Sequence, residues 1–96
     1  MNYPVRTILT ASGNDMHISY THEFRRGIKK IRDKAMQSKV KKIVERIIHN
    51  PDIGKSLRYE LTGLRSVRVP PFRILYEHTG DCLIFHTFEH RDTVYS

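Results

Sequence analysis

The 96-residue sequence predicts an α+β fold: two N-terminal antiparallel helices packed on a small, mainly antiparallel sheet of about four strands. Two observations carry this. Residues 24–48 repeat apolar side chains every three to four positions, as a helix with one buried face requires. From Leu61 onward, three short apolar-rich segments are separated by turn signals, as in a meander of strands.

The chain length suits one domain with one modest core. With 39% hydrophobic and 28% charged residues, its composition is that of an ordinary globular chain. The single Cys82 excludes an intrachain disulfide framework and a cysteine-based metal cluster, and fits a reducing compartment. No apolar run approaches the roughly 20 residues needed to span a bilayer. The first residues lack the long apolar core of a signal peptide, so a cytoplasmic location with no membrane partner is expected. The formal net charge of +7 is in keeping with a nucleic-acid partner, though it would equally suit an acidic protein or a membrane surface.

Residues 1–15 read as an N-terminal extension of a single domain spanning 16–96. Within the extension, Val5–Thr10 can be an extra edge strand or a loosely ordered arm. His17–Tyr20 is short, β-prone and alternating, and is read as a strand. Thr21 then resembles a helix N-cap, with Glu23 in the first turn where a negative charge suits the helix dipole. Phe24, Ile28, Ile31 and Ala35 form one apolar stripe. The pattern restarts near Gln37–Ser38, with Ser38 as the expected cap. Val40, Ile43, Val44, Ile47 and Ile48 then give the strongest periodic signal in the chain. Asn50-Pro51 ends this second helix, because proline cannot continue it.

Asp52–Thr62 is read as an irregular connection with Leu57, Tyr59 and Leu61 turned inwards. Arg65–Val69 alternates, Pro70-Pro71 forces a turn, Phe72–Glu77 forms the next strand, and His78–Asp81 turns into a last strand at Cys82–Phe88.

Arginines recur among these strands: Arg65, Arg68 and Arg73, with Arg91 just beyond. Guanidinium groups converging on a small sheet suit a phosphate, since the planar fork donates two hydrogen bonds to one oxyanion. Between Arg25 and Arg46 the helices carry ten Lys/Arg, including Lys29, Lys30, Lys41 and Lys42, against Glu23, Asp33 and Glu45. Such a face is most often plain solvated surface, but this excess suits contact with an RNA backbone. Six histidines are present, but none shows helical metal-ligand spacing or a cysteine partner, so neither a metal nor a cofactor is expected. His86 reads as a packed or hydrogen-bonded residue sharing a strand face with Ile84 and Phe88.

The element order, the segment L-x-G-L-R-S-V-R-V-x-x-F-R-I-L-Y-E and the terminal H-R-x-x-V-Y resemble the RelE/ParE superfamily of toxins over about residues 16–96. Members of the RelE branch are compact ribosome-dependent ribonucleases that cut mRNA and are silenced by a cognate antitoxin. The resemblance therefore implies a type II toxin that inhibits translation as a metal-independent endoribonuclease. Its partners would be the ribosome, mRNA and a RelB-like antitoxin. Carried over by position, Arg68, Arg73, His90, Arg91 and Tyr95 fall where such toxins place functional residues, and Arg65 adds to the RNA-binding set. The chain departs from the pattern at Ser66, where several members are basic, at Pro70-Pro71, and at Glu89, which puts a carboxylate beside the cluster.

Chemically, Arg73 and Arg91 are suited to hold the phosphate, being permanently protonated clamps and poor bases. Tyr95 can take a proton or stack on a base. His90 can act as acid or base. Two other readings stand beside this one: a ParE-like inhibitor that binds DNA gyrase without chemistry of its own, and a non-catalytic basic RNA-binding module.

Overall fold

Arg6–Leu9 forms strand β1 and Asp15–Tyr20 strand β2. Helix α1 (His22–Lys29) and helix α2 (Lys34–His49) follow, then a two-residue strand β3 (Lys55–Ser56) and a 3-10 turn at Tyr59–Leu61. Strands β4 (Arg65–Val69), β5 (Phe72–Thr79) and β6 (Cys82–His90) complete the order. The structure is a computed structural model that describes residues 6–9, 13 and 15–92. No helix among these residues is long and apolar enough to cross a membrane.

All the strands join one six-stranded sheet in the order β1-β2-β6-β5-β4-β3. β2 and β6 run parallel, and the other neighbours antiparallel. Six strands replace the predicted four or so because each edge gains a short one: β1 beside β2, and β3 beside the start of β4. The helices also stand after two strands rather than at the front of the chain. Each lies on the sheet, α1 across β6 and α2 across β4.

The helix boundaries follow local hydrogen bonding. Thr21 caps α1, its hydroxyl accepting from the Phe24 amide at 3.1 Å. The second cap is Asp33 and not Ser38: the Asp33 carboxylate accepts from the Ala35 amide at 2.9 Å, which puts the cap five residues before the predicted one. Ile31 therefore sits in the link, whose carbonyl accepts from Gln37 Nε2 at 2.8 Å. Of the three residues expected to turn inwards after α2, Leu57 and Leu61 are half-buried. Tyr59 is 85% exposed and left-handed at φ 60°.

One face of the sheet carries the core. Phe24 and Ile28 of α1, with Val40, Val44, Ile47 and Ile48 of α2, close over Ile18, Val69, Ile74, Tyr76, Leu83 and Phe85. Tyr20 and Phe85 stack at 5.2 Å between ring centroids, and Phe24 meets Phe85 at 5.3 Å. The approach of α1 is close enough that a Cβ on Gly27 would collide with the Phe88 carbonyl oxygen. Glycine at this position lets the helix backbone sit directly on β6. At the far end, the Tyr76 hydroxyl donates to the Pro51 carbonyl at 2.7 Å and accepts from the Gly54 amide at 2.9 Å, pinning the turn after α2 to β5.

β6 departs from simple alternation. Leu75 pairs with Thr87 and Tyr76 with Phe85, so His86 is an extra residue, a β-bulge. Thr21 secures this bulge from the helix side: its amide donates to Phe85 O at 3.0 Å and its hydroxyl to His86 O at 2.5 Å. The extra residue reverses the facing of everything after it. Phe88 joins Leu83 and Phe85 in the core, not the face that carries Ile84 and His86.

Candidate functional site

Among the described residues no helix covers the second face of the sheet. Alternation along β4 puts Val67 and Val69 towards the core, so Arg68 points to the open face. Across the sheet Arg68 stands opposite Arg73, and Arg73 opposite Glu89, giving one row of charged residues over three strands. Two arginines directly opposite each other repel, which disfavours the pair. Their juxtaposition becomes favourable when an anion lies across them. Glu89 is held from the side, its Oε1 accepting from Thr87 Oγ1 at 2.6 Å.

Next to this row runs an open groove of about 920 Å³, along the margin of β4 that β3 leaves unpaired. Arg46, Lys55, Arg68, Arg73 and Arg91 line it, against the single carboxylate of Asp92. Arg91 lies in the turn after β6, where its amide donates to Pro71 O at 3.0 Å and so ties the chain end to the β4–β5 turn. Its side chain is 70% exposed, with Nε 4.0 Å from Asp92 Oδ1.

Farther along the open face, His86 Nε2 lies 3.0 Å from Glu77 Oε1, and Thr79 Oγ1 donates to Glu77 Oε2 at 3.0 Å. These bonds hold the Glu77 carboxyl below its ordinary value, the hydrogen bond from His86 contributing most and that from Thr79 next.

The predicted site residues do not stay together. Arg68, Arg73 and Arg91 converge on the groove. His90 does not join them. It pairs across the sheet with Phe72 and meets that ring edge-on at 5.7 Å, on the helix side, with its Nδ1 accepting from the Asp92 amide at 3.2 Å. Tyr95 lies outside the described residues. Arg65 is a brace: Nη1 donates to Gly54 O at 2.9 Å and to Asp52 O at 3.2 Å, while Nη2 lies 3.7 Å from Asp52 Oδ1. Those bonds commit its guanidinium to the turn after α2. Lys29, Lys30, Lys41 and Lys42 are exposed on the helices, on the opposite side of the sheet from the Arg68–Arg73 row.

Sequence reasoning missed Arg46, Lys55 and the Glu77–His86 pair. Arg46 had a usable signal, since it follows Ile43 by three positions on the flank of the apolar stripe. Lys55 had none, because a two-residue strand leaves no periodicity.

Over residues 18–95 the chain matches the family model described as the ParE toxin of the type II toxin-antitoxin system parDE. The chain belongs to this family, and with it to the RelE/ParE superfamily of toxins. No curated protein matched. Among solved structures it is similar to a chain of the RelBE2 toxin-antitoxin complex of Mycobacterium tuberculosis, at 26% identity and a TM-score of 0.67, covering 77% of this chain and 95% of that one. It is also similar to YafQ from E. coli, at 22% identity and a TM-score of 0.66 over 79% and 93% of the two chains. The YoeB dimer structure from Staphylococcus aureus gives 23% identity and a TM-score of 0.65 over 79% and 97%. β1 lies ahead of the family match, which begins within β2.

Proposed function

We propose that this toxin is a ribosome-dependent, metal-independent endoribonuclease that cleaves mRNA by attack of a ribose 2′-hydroxyl on the adjacent phosphodiester, and so stops translation. The observation that carries this reading is the convergence of Arg68, Arg73 and Arg91, with Arg46 and Lys55, on one groove beside the open sheet face. The scissile phosphate gains negative charge on its oxygens as the 2′-oxygen adds. Guanidinium groups already fixed around it stabilise that charge with little reorganisation. Arg73 and Arg91 are the central pair, with Arg68 beside them. Lys29, Lys30, Lys41 and Lys42, on the other side of the sheet, are placed to meet ribosomal RNA and not the cleaved strand.

The functional domain in this reading is 16–96, with 1–15 an extension, acting in the cytoplasm on mRNA held by the ribosome. A cognate antitoxin would silence it, as the similar RelBE, DinJ–YafQ and YoeB–YefM complexes suggest.

One observation favours a second reading. The family model that matches is the ParE one, and the ParE branch is similar to inhibitors that bind DNA gyrase without chemistry. That branch usually lacks the arginines and terminal H-R-x-x-V-Y found here, which weights the ribonuclease reading above it. Induced expression followed by primer extension on a reporter mRNA separates the two. Cuts within translated codons that vanish without active ribosomes are expected. Growth arrest with intact mRNA and DNA damage would replace the ribonuclease reading with gyrase inhibition.

A further inference from the structure

A cleavage by 2′-hydroxyl attack needs a proton acceptor, and among the described residues the groove is lined mainly by permanent cations that cannot serve. His90 lies on the helix side of the sheet. We infer that His86 is the acceptor, with Glu77 as its positioning residue; this rests on the ribonuclease reading above.

His86 is the bulged residue of β6, and bulges re-aim side chains next to active sites. Its backbone is fixed through Thr21, whose amide donates to the preceding carbonyl and whose hydroxyl donates to the carbonyl of His86. The Glu77 carboxylate can only accept, so His86 Nε2 carries the proton of their 3.0 Å bond and Nδ1 keeps its lone pair. Among the described residues Nδ1 has no hydrogen-bond partner. Thr79 donates to the second oxygen of Glu77 and keeps the carboxylate from rotating away. An acceptor oriented by a carboxylate, itself held by a hydroxyl, is the arrangement that proton transfer from a hydroxyl nucleophile requires. His86 is one-third exposed and so is open to a ligand.

The position also fits. His86 lies three residues from Glu89, which pairs with Arg73, a separation of about 10 Å along the strand. That is within the combined reach of an arginine and an imidazole side chain converging on one nucleotide. In the step, His86 Nδ1 takes the 2′-hydroxyl proton as the 2′-oxygen bonds to phosphorus. The bond to the 5′-oxygen breaks, leaving a 2′,3′-cyclic phosphate, and the departing oxygen takes a proton from water. The titratable and charged groups on this face are Glu77 and Arg73 on β5, Glu89 and Cys82 on β6, Arg68 on β4 and His17 on the neighbouring β2.

As a solvated ion pair, His86–Glu77 would contribute little to stability and nothing to chemistry. Single-turnover cleavage of a ribosome-bound reporter mRNA, followed across neutral pH, distinguishes the two roles. His86→Gln is expected to slow cleavage about 10²–10⁴-fold and to erase the acid limb of the profile, with ribosome binding kept. Glu77→Gln is expected to slow it less and to move that limb. A His86→Gln protein within about twofold of wild type with its limb intact would overturn the inference. So would parallel loss of ribosome binding, or a limb that disappears in Glu89→Gln instead. A wild-type protein that leaves ribosome-bound mRNA uncut would instead sink the ribonuclease reading itself, and this inference with it.

Discussion

The two faces of the sheet are built from the same strands and differ in almost every physical respect. The helix-covered face is closed and apolar, with Ile18, Ile74, Tyr76, Leu83 and Phe85 fully buried beneath α1 and α2. The open face carries Arg68, Arg73, Glu77, His86 and Glu89, including two arginines set directly opposite each other. Stability therefore resides on one side, and the proposed chemistry is assigned to the other. A sheet only one side chain thick can hold reactive groups rigidly because its reverse side is packed.

The sharpest way to break that division is to exchange the expected effects of mutations on the two faces. Phe85→Ala, at the centre of the aromatic stack, is expected to cost about 3–5 kcal/mol in denaturant unfolding. Arg68→Ala should change stability by less than about 1 kcal/mol, or raise it slightly by relieving repulsion from Arg73. On the open face the large effect should instead be catalytic. Arg73→Ala is expected to lower single-turnover mRNA cleavage about 10²–10³-fold while destabilising the fold far less than Phe85→Ala does.

Tyr76→Phe tests the core from within. It removes the acceptor of the Gly54 amide and the donor to Pro51 O, and is expected to cost about 1–3 kcal/mol, with cleavage retained once the protein is folded. The smallest effect concerns Glu77. Because its carboxyl titrates lower in the fold than in the unfolded chain, its contribution is present above the ordinary carboxylate range and is lost as pH falls through the depressed value. The stability difference between wild type and Glu77→Gln should therefore be small near neutrality, since the pair is partly solvated, and should vanish in acid.

How much of this was legible in the sequence depended on periodicity. The α2 stripe from Val40 to Ile48 and the alternation of β4 were regular enough to fix which side faced the core, and with it the direction of Arg68. Thr21 was recognisable as a cap from its residue type. Asp33 and Ser38 are both good caps by residue type, and only the bond to the Ala35 amide decides between them. The bulge at His86 was invisible, since one inserted residue leaves composition and spacing unremarkable while exchanging the faces of Glu89 and His90. The terminal motif groups His90 with the arginines by position alone, and His86, read as packed or hydrogen-bonded, is the hydrogen-bonded partner of Glu77. Arg65 looked like its neighbours in sequence, but its place opposite Tyr76 commits it to the carbonyls of Asp52 and Gly54. β1 lies inside the Val5–Thr10 segment that reads as either an edge strand or a loose arm, whereas β3, at two residues, is too short to leave a pattern of its own.

The most direct test of the central claim, that the open face is the working face, is ribosome-dependent cleavage by three proteins side by side. These are the wild type, Arg73→Ala, and a Lys41→Ala, Lys42→Ala double variant of the helix side. The expected result is codon-positioned cuts from the wild type, a strong loss in Arg73→Ala, and cutting retained in the lysine variant, with weaker ribosome binding at raised salt. Full cleavage by Arg73→Ala together with none by the lysine variant would contradict the account and move the working surface to the helices.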